Sequence, residues 1–419
     1  MNKVLGGEEN QPTRALLPWF QGWNVLAVAI GVVAMTMGIA HTSFSFFALE
    51  WMAEFGSSRG ETMLVLAATQ IMAGIFLPFS GRAMDRLSVR WVGLIGVILL
   101  ACGLALASLA TSLWQIGLVY GLILAASEAM AGPIFAQTLA AKWFLSRRGL
   151  ALGLAVLGTS FGALIFPVAI ASLLQEIPWR TTMLLLAAGV FLIALPAVLL
   201  VIRDAPRDRA AAPPIYRDGA PENTQWTTAK TLRSPVFWCI VAGFVPLFEA
   251  SSGLLSNLGP ITQDLGIDTR AAGLLISIWS LTVIIGKIAF GILADYYGQR
   301  LLYYVSWFPT ILGLMLLQME PSYPLMVIVM VAFGIGSGSN LPLIGVMVSR
   351  NFGAVAFGAV MGLLYLCIRP VALAAPLAGW VSDRFGSYDY FWMAMLILCL
   401  VCSPAIYFVR DHGHPPGGK

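Results

Sequence analysis

The sequence predicts an all-α membrane protein, with twelve transmembrane helices arranged as two pseudo-symmetric six-helix bundles. Three observations predict it. Apolar residues make up 59% of the chain and charged residues only 11%, where a soluble domain has about 25% charged; this much apolar side chain needs lipid as part of its solvent. Twelve segments are long and apolar enough to cross a bilayer, which takes about 20 residues each. One ten-residue stretch occurs twice, half a chain apart.

The repeat is Gly81-Arg-Ala-Met-Asp-Arg-Leu-Ser-Val-Arg90, which returns as Gly291-Ile-Leu-Ala-Asp-Tyr-Tyr-Gly-Gln-Arg300. Both copies place Gly first, Asp fifth and Arg tenth, and both lie between two apolar segments. An internal duplication of this length describes the whole architecture. The apolar segments fall at about 22–48, 62–80, 91–110, 113–138, 150–174 and 179–202, then 236–259, 270–290, 301–319, 324–348, 355–379 and 389–409. Spans joined by so little polar chain cross in alternate directions. Trp19, Phe20 and Trp23 mark the first interface, as aromatic belts do. Ser58-x-x-Glu61 is a capping box opening the second span, and Asp268 caps its counterpart in the second half.

The polar stretch Arg203 to Arg233 holds Pro206, Pro213, Pro214 and Pro221 and no apolar periodicity. It reads as a linker with room for a short surface helix. The domains are therefore 1–202, a linker over 203–235, and 236–419. The polar N-terminus from Met1 to Pro18 has no small-residue cleavage site before the first long apolar run, so no cleaved signal peptide is expected. Cys102, Cys239, Cys367, Cys399 and Cys402 all sit in apolar runs, and the Cys399-x-x-Cys402 pair lacks metal partners. With the N-terminus inside, 18 of the 24 Lys and Arg fall on the inner side and 4 on the outer, while Lys287 and Arg369 lie in spans. The positive-inside rule then makes both termini and the linker cytoplasmic, in the cytoplasmic (inner) membrane. A net charge of +4 does not suggest nucleic acid.

Two six-helix halves carrying this decapeptide after their second spans resemble the major facilitator superfamily over nearly the whole chain. The physical logic of the motif is visible: Asp85 and Asp295 can sit near helix N-termini and pair with Arg across an inner gate. Gly81 and Gly291 allow close helix approach, and Arg86, Arg90 and Arg300 complete the gating set. Ser88 stands where the family has glycine. A narrower resemblance lies at the fifth span. Trp143-Phe-Leu-Ser-Arg147-Arg148-Gly-Leu150-Ala151-Leu-Gly153, continuing to Gly158 and Gly162, is similar to a signature of the monocarboxylate transporter branch.

Ionisable groups inside spans are costly, about 2.5–3.5 kcal/mol each on insertion scales, and are functional candidates by default. Five fall there: His41, Glu128, Glu249, Lys287 and Arg369. The resemblance puts all five on helices that line or flank the central cavity in the superfamily. Lys287, in the frame Gly286-Lys287-Ile-Ala-Phe-Gly291, matches a position where the branch has an arginine that meets the substrate carboxylate. Snorkelling to the cytoplasmic interface is the plain alternative. Val283 stands where many relatives carry a coupling aspartate. His41 falls where relatives carry a lysine, and its titration range suits proton exchange. Arg369, after Gly362-Leu-Leu-Tyr365, is one residue from a lysine of the oxalate:formate exchangers. Structural pairing with Glu128 or Glu249 is the competing role for Arg369. Tyr120, Asn257, Asn340 and Tyr365 are the polar and aromatic candidates for the cavity wall, with helix packing as their ordinary alternative.

No P-loop, metal-ligand cluster or nucleophile–base frame is present, so no enzyme, cofactor or metal is expected. With His41 neutral, the intramembrane charges sum to zero. One bound carboxylate leaves −1, and one proton on Glu249 or Glu128 restores neutrality. The expectation is a monomeric secondary transporter whose partners are a small organic anion, in particular a monocarboxylate, protons and the lipid bilayer. Lys287 and Arg369 are assigned to the anion, and Glu249, then Glu128, to the proton. A proton-driven exporter of amphipathic or cationic compounds is the second reading.

Overall fold

The computed structural model describes residues 21–144, 147–204, 226–267, 269–319, 321–368 and 374–409. Trp19, Phe20, Asp268 and Arg369 lie outside the described residues. In the hydrocarbon core a backbone N–H or C=O has no water to bond, so apolar chain of this length must pair its backbone internally as helix. The spans do so: α1 (Gln21–Phe55), α2 (Arg59–Arg86), α3 (Val89–Ser108), α4 (Leu113–Trp143), α5 (Arg148–Glu176) and α6 (Trp179–Val201) form the first half. The second half holds α7 (Pro235–Asp264), α8 (Thr269–Tyr296), α9 (Gln299–Leu317), α10 (Tyr323–Phe352), α11 (Phe357–Ile368) and α12 (Asp389–Phe408). A further helix, Ala374–Phe385, lies between α11 and α12. Among the described residues eleven helices are long and apolar enough to span, and α11 is a shorter apolar helix. The fold is all-helical, in two halves of six.

Local sequence explains the ends and the interruptions. Gly56, at φ 64°, turns the chain after α1, a left-handed conformation that costs glycine little. Ser58 then caps α2: its Oγ accepts from the Glu61 amide at 3.2 Å, and Glu61 Oε2 accepts from the Ser58 amide at 2.8 Å. α4 breaks at Gly132, where Pro133 opens a new segment. α5 breaks at Val156, which ends one helix and starts the next. Wider π turns interrupt α1 at Gly38–Thr42, α4 at Val119–Leu124 and α6 at Val190–Ala194; such turns inside helices often mark functional positions. The linker's described end forms the short helix Thr228–Leu232, whose Thr228 hydroxyl takes a bond from Arg82.

Each half has its own aromatic core. In the first, Tyr120 meets Phe44 and Trp51 edge-on at 5.7 and 5.4 Å between ring centroids, and Trp51 meets Trp179 at 6.2 Å. In the second, Tyr303 packs on Phe244 at 5.2 Å and donates to the Gly243 carbonyl at 2.8 Å. Exposed apolar side chains such as Leu164, Leu192 and Phe308 face outward from the bundle, a surface that suits acyl chains rather than water.

The halves meet at the end that carries the two motifs, here the motif end. There α2 packs along α11, and the first segment of α5 packs along α8. Glycine makes this contact possible. A Cβ on Gly81 would lie 2.0 Å from the Gly358 carbonyl oxygen, and one on Gly362 would lie 2.4 Å from that of Leu77. The symmetry-related contact is built likewise, with a Cβ on Gly153 falling 2.6 Å from the Lys287 carbonyl oxygen. No comparable contact joins the opposite ends of the halves among the described residues.

Candidate functional site

The motif aspartates bridge the halves. Asp85, at the end of α2, accepts from the amides of Gly358 and Ala359 at 3.3 and 2.7 Å, at the N-terminus of α11. Asp295, at the end of α8, accepts from Gly149 and Leu150 at 2.6 and 3.0 Å, at the N-terminus of α5. Each carboxylate thus satisfies helix-end amides of the other half, where the helix dipole also favours negative charge. The side-chain partner of Asp85 is a lysine rather than the anticipated arginine: Lys142 Nζ lies 3.1 Å from Oδ1 and also donates to the Met84 carbonyl at 2.8 Å. Arg350 takes the equivalent place in the second half and donates to the Ala294 carbonyl at 2.7 Å.

The motif arginines do something else. Arg90 donates to the Leu199 carbonyl on α6 at 2.6 Å, and Arg300 to the Val409 carbonyl beyond α12 at 2.6 Å. Each fastens the last span of its own half and does not cross the interface. Arg86 is exposed.

Lys287 is 4% exposed and does not reach the aqueous interface. Its ammonium crosses from α8 to α5 of the other half. There it donates to the Ser160 hydroxyl at 2.6 Å, the Thr159 hydroxyl at 2.7 Å and the Val156 carbonyl at 3.2 Å. An ammonium has three N–H donors, and α5 accepts all three. The α5 break explains why these acceptors exist. Val156 O takes only the 3.3 Å bond from the Thr159 amide as a turn, plus the Thr159 hydroxyl at 2.9 Å. That hydroxyl therefore spends its proton on the carbonyl and turns a lone pair to Lys287.

A second crossing centres on Gln137 of α4, which is fully buried. Its amide donates to the Leu341 carbonyl of α10 at 3.1 Å and accepts from the Tyr365 hydroxyl of α11 at 3.4 Å. His41 lies in the π turn of α1, with its Nε2 against the Gln70 side chain of α2. Tyr120 is fully buried in the aromatic core, and its hydroxyl has no hydrogen-bond partner among the described residues. Asn257 donates to the Gly253 carbonyl one turn earlier at 2.9 Å. Asn340 is 1% exposed on α10. Glu128 is 4% exposed, just before the Gly132 break in α4. Glu249 is half-buried one turn before Gly253, whose missing side chain makes room for Phe391 of α12.

The structure therefore brings Lys287, Tyr365 and the two aspartates into the interface between the halves. It keeps Tyr120 in the core of the first half. Thr159, Ser160, Gln137 and Lys142 were given no role from sequence. A glutamine within an apolar run was the available signal for Gln137, and the adjacent hydroxyls in a glycine-rich segment for Thr159 and Ser160.

Chemically, among the described residues the arrangement holds the Lys287 ammonium against neutral oxygens between the two bundles, behind the paired aspartate contacts of the motif end. It has the form of a gate with a charged element inside it. A family profile described as the Major Facilitator Superfamily matches residues 26–258 and 247–419. Among curated proteins the chain is similar to monocarboxylate transporter 12 of Rattus norvegicus, 26% identical over 90% of this chain and 82% of that one. It is 28% identical to monocarboxylate transporter 13 of the same species, over 88% and 84%. Among solved structures, the E. coli fucose:proton symporter superposes with a TM-score of 0.69 at 16% identity, over 92% of this chain and 98% of that one. A proton:xylose symporter gives 0.69 at 14%, over 93% and 96%. These relatives are transporters, not enzymes. With the duplicated halves, the paired aspartate contacts and the profile match over both halves, the chain belongs to the major facilitator superfamily and is an integral multi-pass membrane protein.

Proposed function

We propose that the protein is a secondary transporter that carries a small organic anion, a monocarboxylate, across the cytoplasmic membrane together with a proton. In this reading the motif end faces the cytoplasm, which the excess of Lys and Arg on that side supports, and the contact of the halves at that end corresponds to an outward-facing state of an alternating-access cycle. The observation that carries the reading is Lys287: an ammonium buried between the two halves and held, among the described residues, by neutral oxygens of α5. A buried cation held only by neutral groups favours an anion beside it, because a carboxylate adds Coulomb attraction that hydroxyls lack. The similarity to monocarboxylate transporters along most of the chain points to the same cargo. The proton is assigned to Glu249 or Glu128, since one carboxylate and one proton together leave the intramembrane charge unchanged.

The test is counterflow in proteoliposomes. Labelled lactate- or pyruvate-type acids are expected to exchange against unlabelled acid, with net uptake driven by an inward proton gradient. Lys287→Met is expected to abolish both, and Lys287→Arg to retain part of them. Counterflow of a lipophilic cation such as tetraphenylphosphonium, with none of the acids, would replace this reading with that of a proton-driven exporter.

A further inference from the structure

Lys287 poses a problem for an anion carrier. In this state all three of its donors are occupied, so an incoming carboxylate finds no free N–H. The occupants are unusual. They come from one helix of the opposite half and cluster within five residues at a backbone break. They also lie beside the closest approach of the two halves, where a Cβ on Gly153 would meet the Lys287 carbonyl oxygen at 2.6 Å. The ammonium therefore fastens α8 to α5 just inside the Asp295 contact with the same helix. Hydrogen bonds to a charged group are the stronger class. A buried ammonium stripped of them bears a desolvation cost that must be met by another partner or by opening to water.

We propose that the α5 break is a seat for the Lys287 ammonium that holds the motif end shut, formed by the Val156 carbonyl and the Thr159 and Ser160 hydroxyls, and that a substrate carboxylate opens this end by drawing the ammonium off the seat. Thr159 and Ser160 are then positioning residues: they do not touch the anion but set how tightly it is opposed. The same cation serves as lock and as ligand, and it cannot do both at once. Empty carrier stays closed at the motif end, while loaded carrier is free to open there. The second half of this proposal, the release by a carboxylate, rests on the anion-transport reading; the first half does not.

The seat is tested on the full-length protein. Spin labels are placed at Leu87→Cys and Tyr297→Cys, exposed positions just past α2 and α8 in opposite halves, after replacement of the five native cysteines and a check that uptake survives. The distance distribution reports closed against open motif ends. Thr159→Val with Ser160→Ala is expected to raise the open-to-closed ratio roughly tenfold or more without substrate, since two charge-assisted bonds are lost. The hydroxyl-retaining pair Thr159→Ser with Ser160→Thr is expected to restore the wild-type distribution. In carriers with the seat removed, KM for the acid should fall severalfold, because the anion no longer competes for the ammonium. An unchanged distribution in the hydroxyl-free variant overturns the seat, whatever the cargo. A shift in that variant combined with no response of the wild-type distribution to saturating lactate or pyruvate keeps the lock and overturns release by a carboxylate. Counterflow on the same samples shows separately whether those acids are carried at all.

Discussion

Gly81 and Gly291 occupy the same place in the repeated decapeptide, yet alanine should act very differently at the two. At position 81 the new Cβ would sit 2.0 Å from the Gly358 carbonyl oxygen and 2.6 Å from its carbon, both backbone atoms. Side-chain carbons essentially never approach closer than 3.0 Å, so α2 and α11 must part by about 1 Å, the kind of overpacking that costs about 1–3 kcal/mol. The same movement stretches the 2.7 Å bond from the Ala359 amide to Asp85 to about 3.7 Å, beyond hydrogen-bond range. That bond involves a charge and contributes about 1.5–3 kcal/mol. The closed motif end should therefore lose about 3 kcal/mol or more, which at 1.4 kcal/mol per decade is about 100-fold in the closed-to-open ratio. At position 291 the Cβ would lie 3.0 Å from the Gly153 Cα and 3.1 Å from the Gly149 oxygen. A shift of a few tenths of an ångström relieves it, and the ratio should change by less than about fivefold. The Leu87/Tyr297 label pair measures both variants in one assay. If Gly291→Ala opens the motif end as much as Gly81→Ala does, the claim that glycine contact at α2–α11 sets the closed state is wrong.

Glu249→Gln and Glu128→Gln are each assayed for proton-driven uptake and for counterflow. The coupling residue is the one whose amide variant loses accumulation under a pH gradient but keeps exchange. If both keep gradient-driven uptake, neither carries the proton. Gln137→Leu removes the crossings to Leu341 and Tyr365 with little change in volume. About 1 kcal/mol per bond predicts a rise of roughly five- to thirtyfold in the open fraction, and no rise would remove Gln137 from the gate. Ser58→Ala breaks the α2 capping box, which should cost about 1 kcal/mol. Amide exchange at Glu61 and Thr62 should then quicken about fivefold while KM stays unchanged.

How much of this is legible in the sequence depends on the range over which each feature is decided. The spans follow from composition and length, because lipid forces any apolar stretch of about 20 residues to satisfy its own backbone. The α2 cap is equally local, four residues reading Ser-Arg-Gly-Glu in register from Ser58 to Glu61. The eleventh span is described as two helices, α11 and Ala374–Phe385, and Arg369 between them lies outside the described residues. The arginines of the repeat show where local reading stops. Their position resembles a gate, but Arg90 and Arg300 bond carbonyls at the end of the last span of their own halves, a pairing that depends on where each half brings its last span.

What the amino-acid order determined by itself is the solvent, the helices, the duplication and the short set of costly charges among which a function had to lie. Tertiary structure decided which of those charges meet what. Lys287 bonds Thr159 and Ser160 of another bundle, a pairing that depends on how α5 and α8 are rotated about their axes and how close glycine lets them come. Gly81 and Gly291 are indistinguishable as letters and differ by 1 Å in the room around them. Chain periodicity carries the face of a helix, but the distance between two faces arises only when the whole bundle has packed.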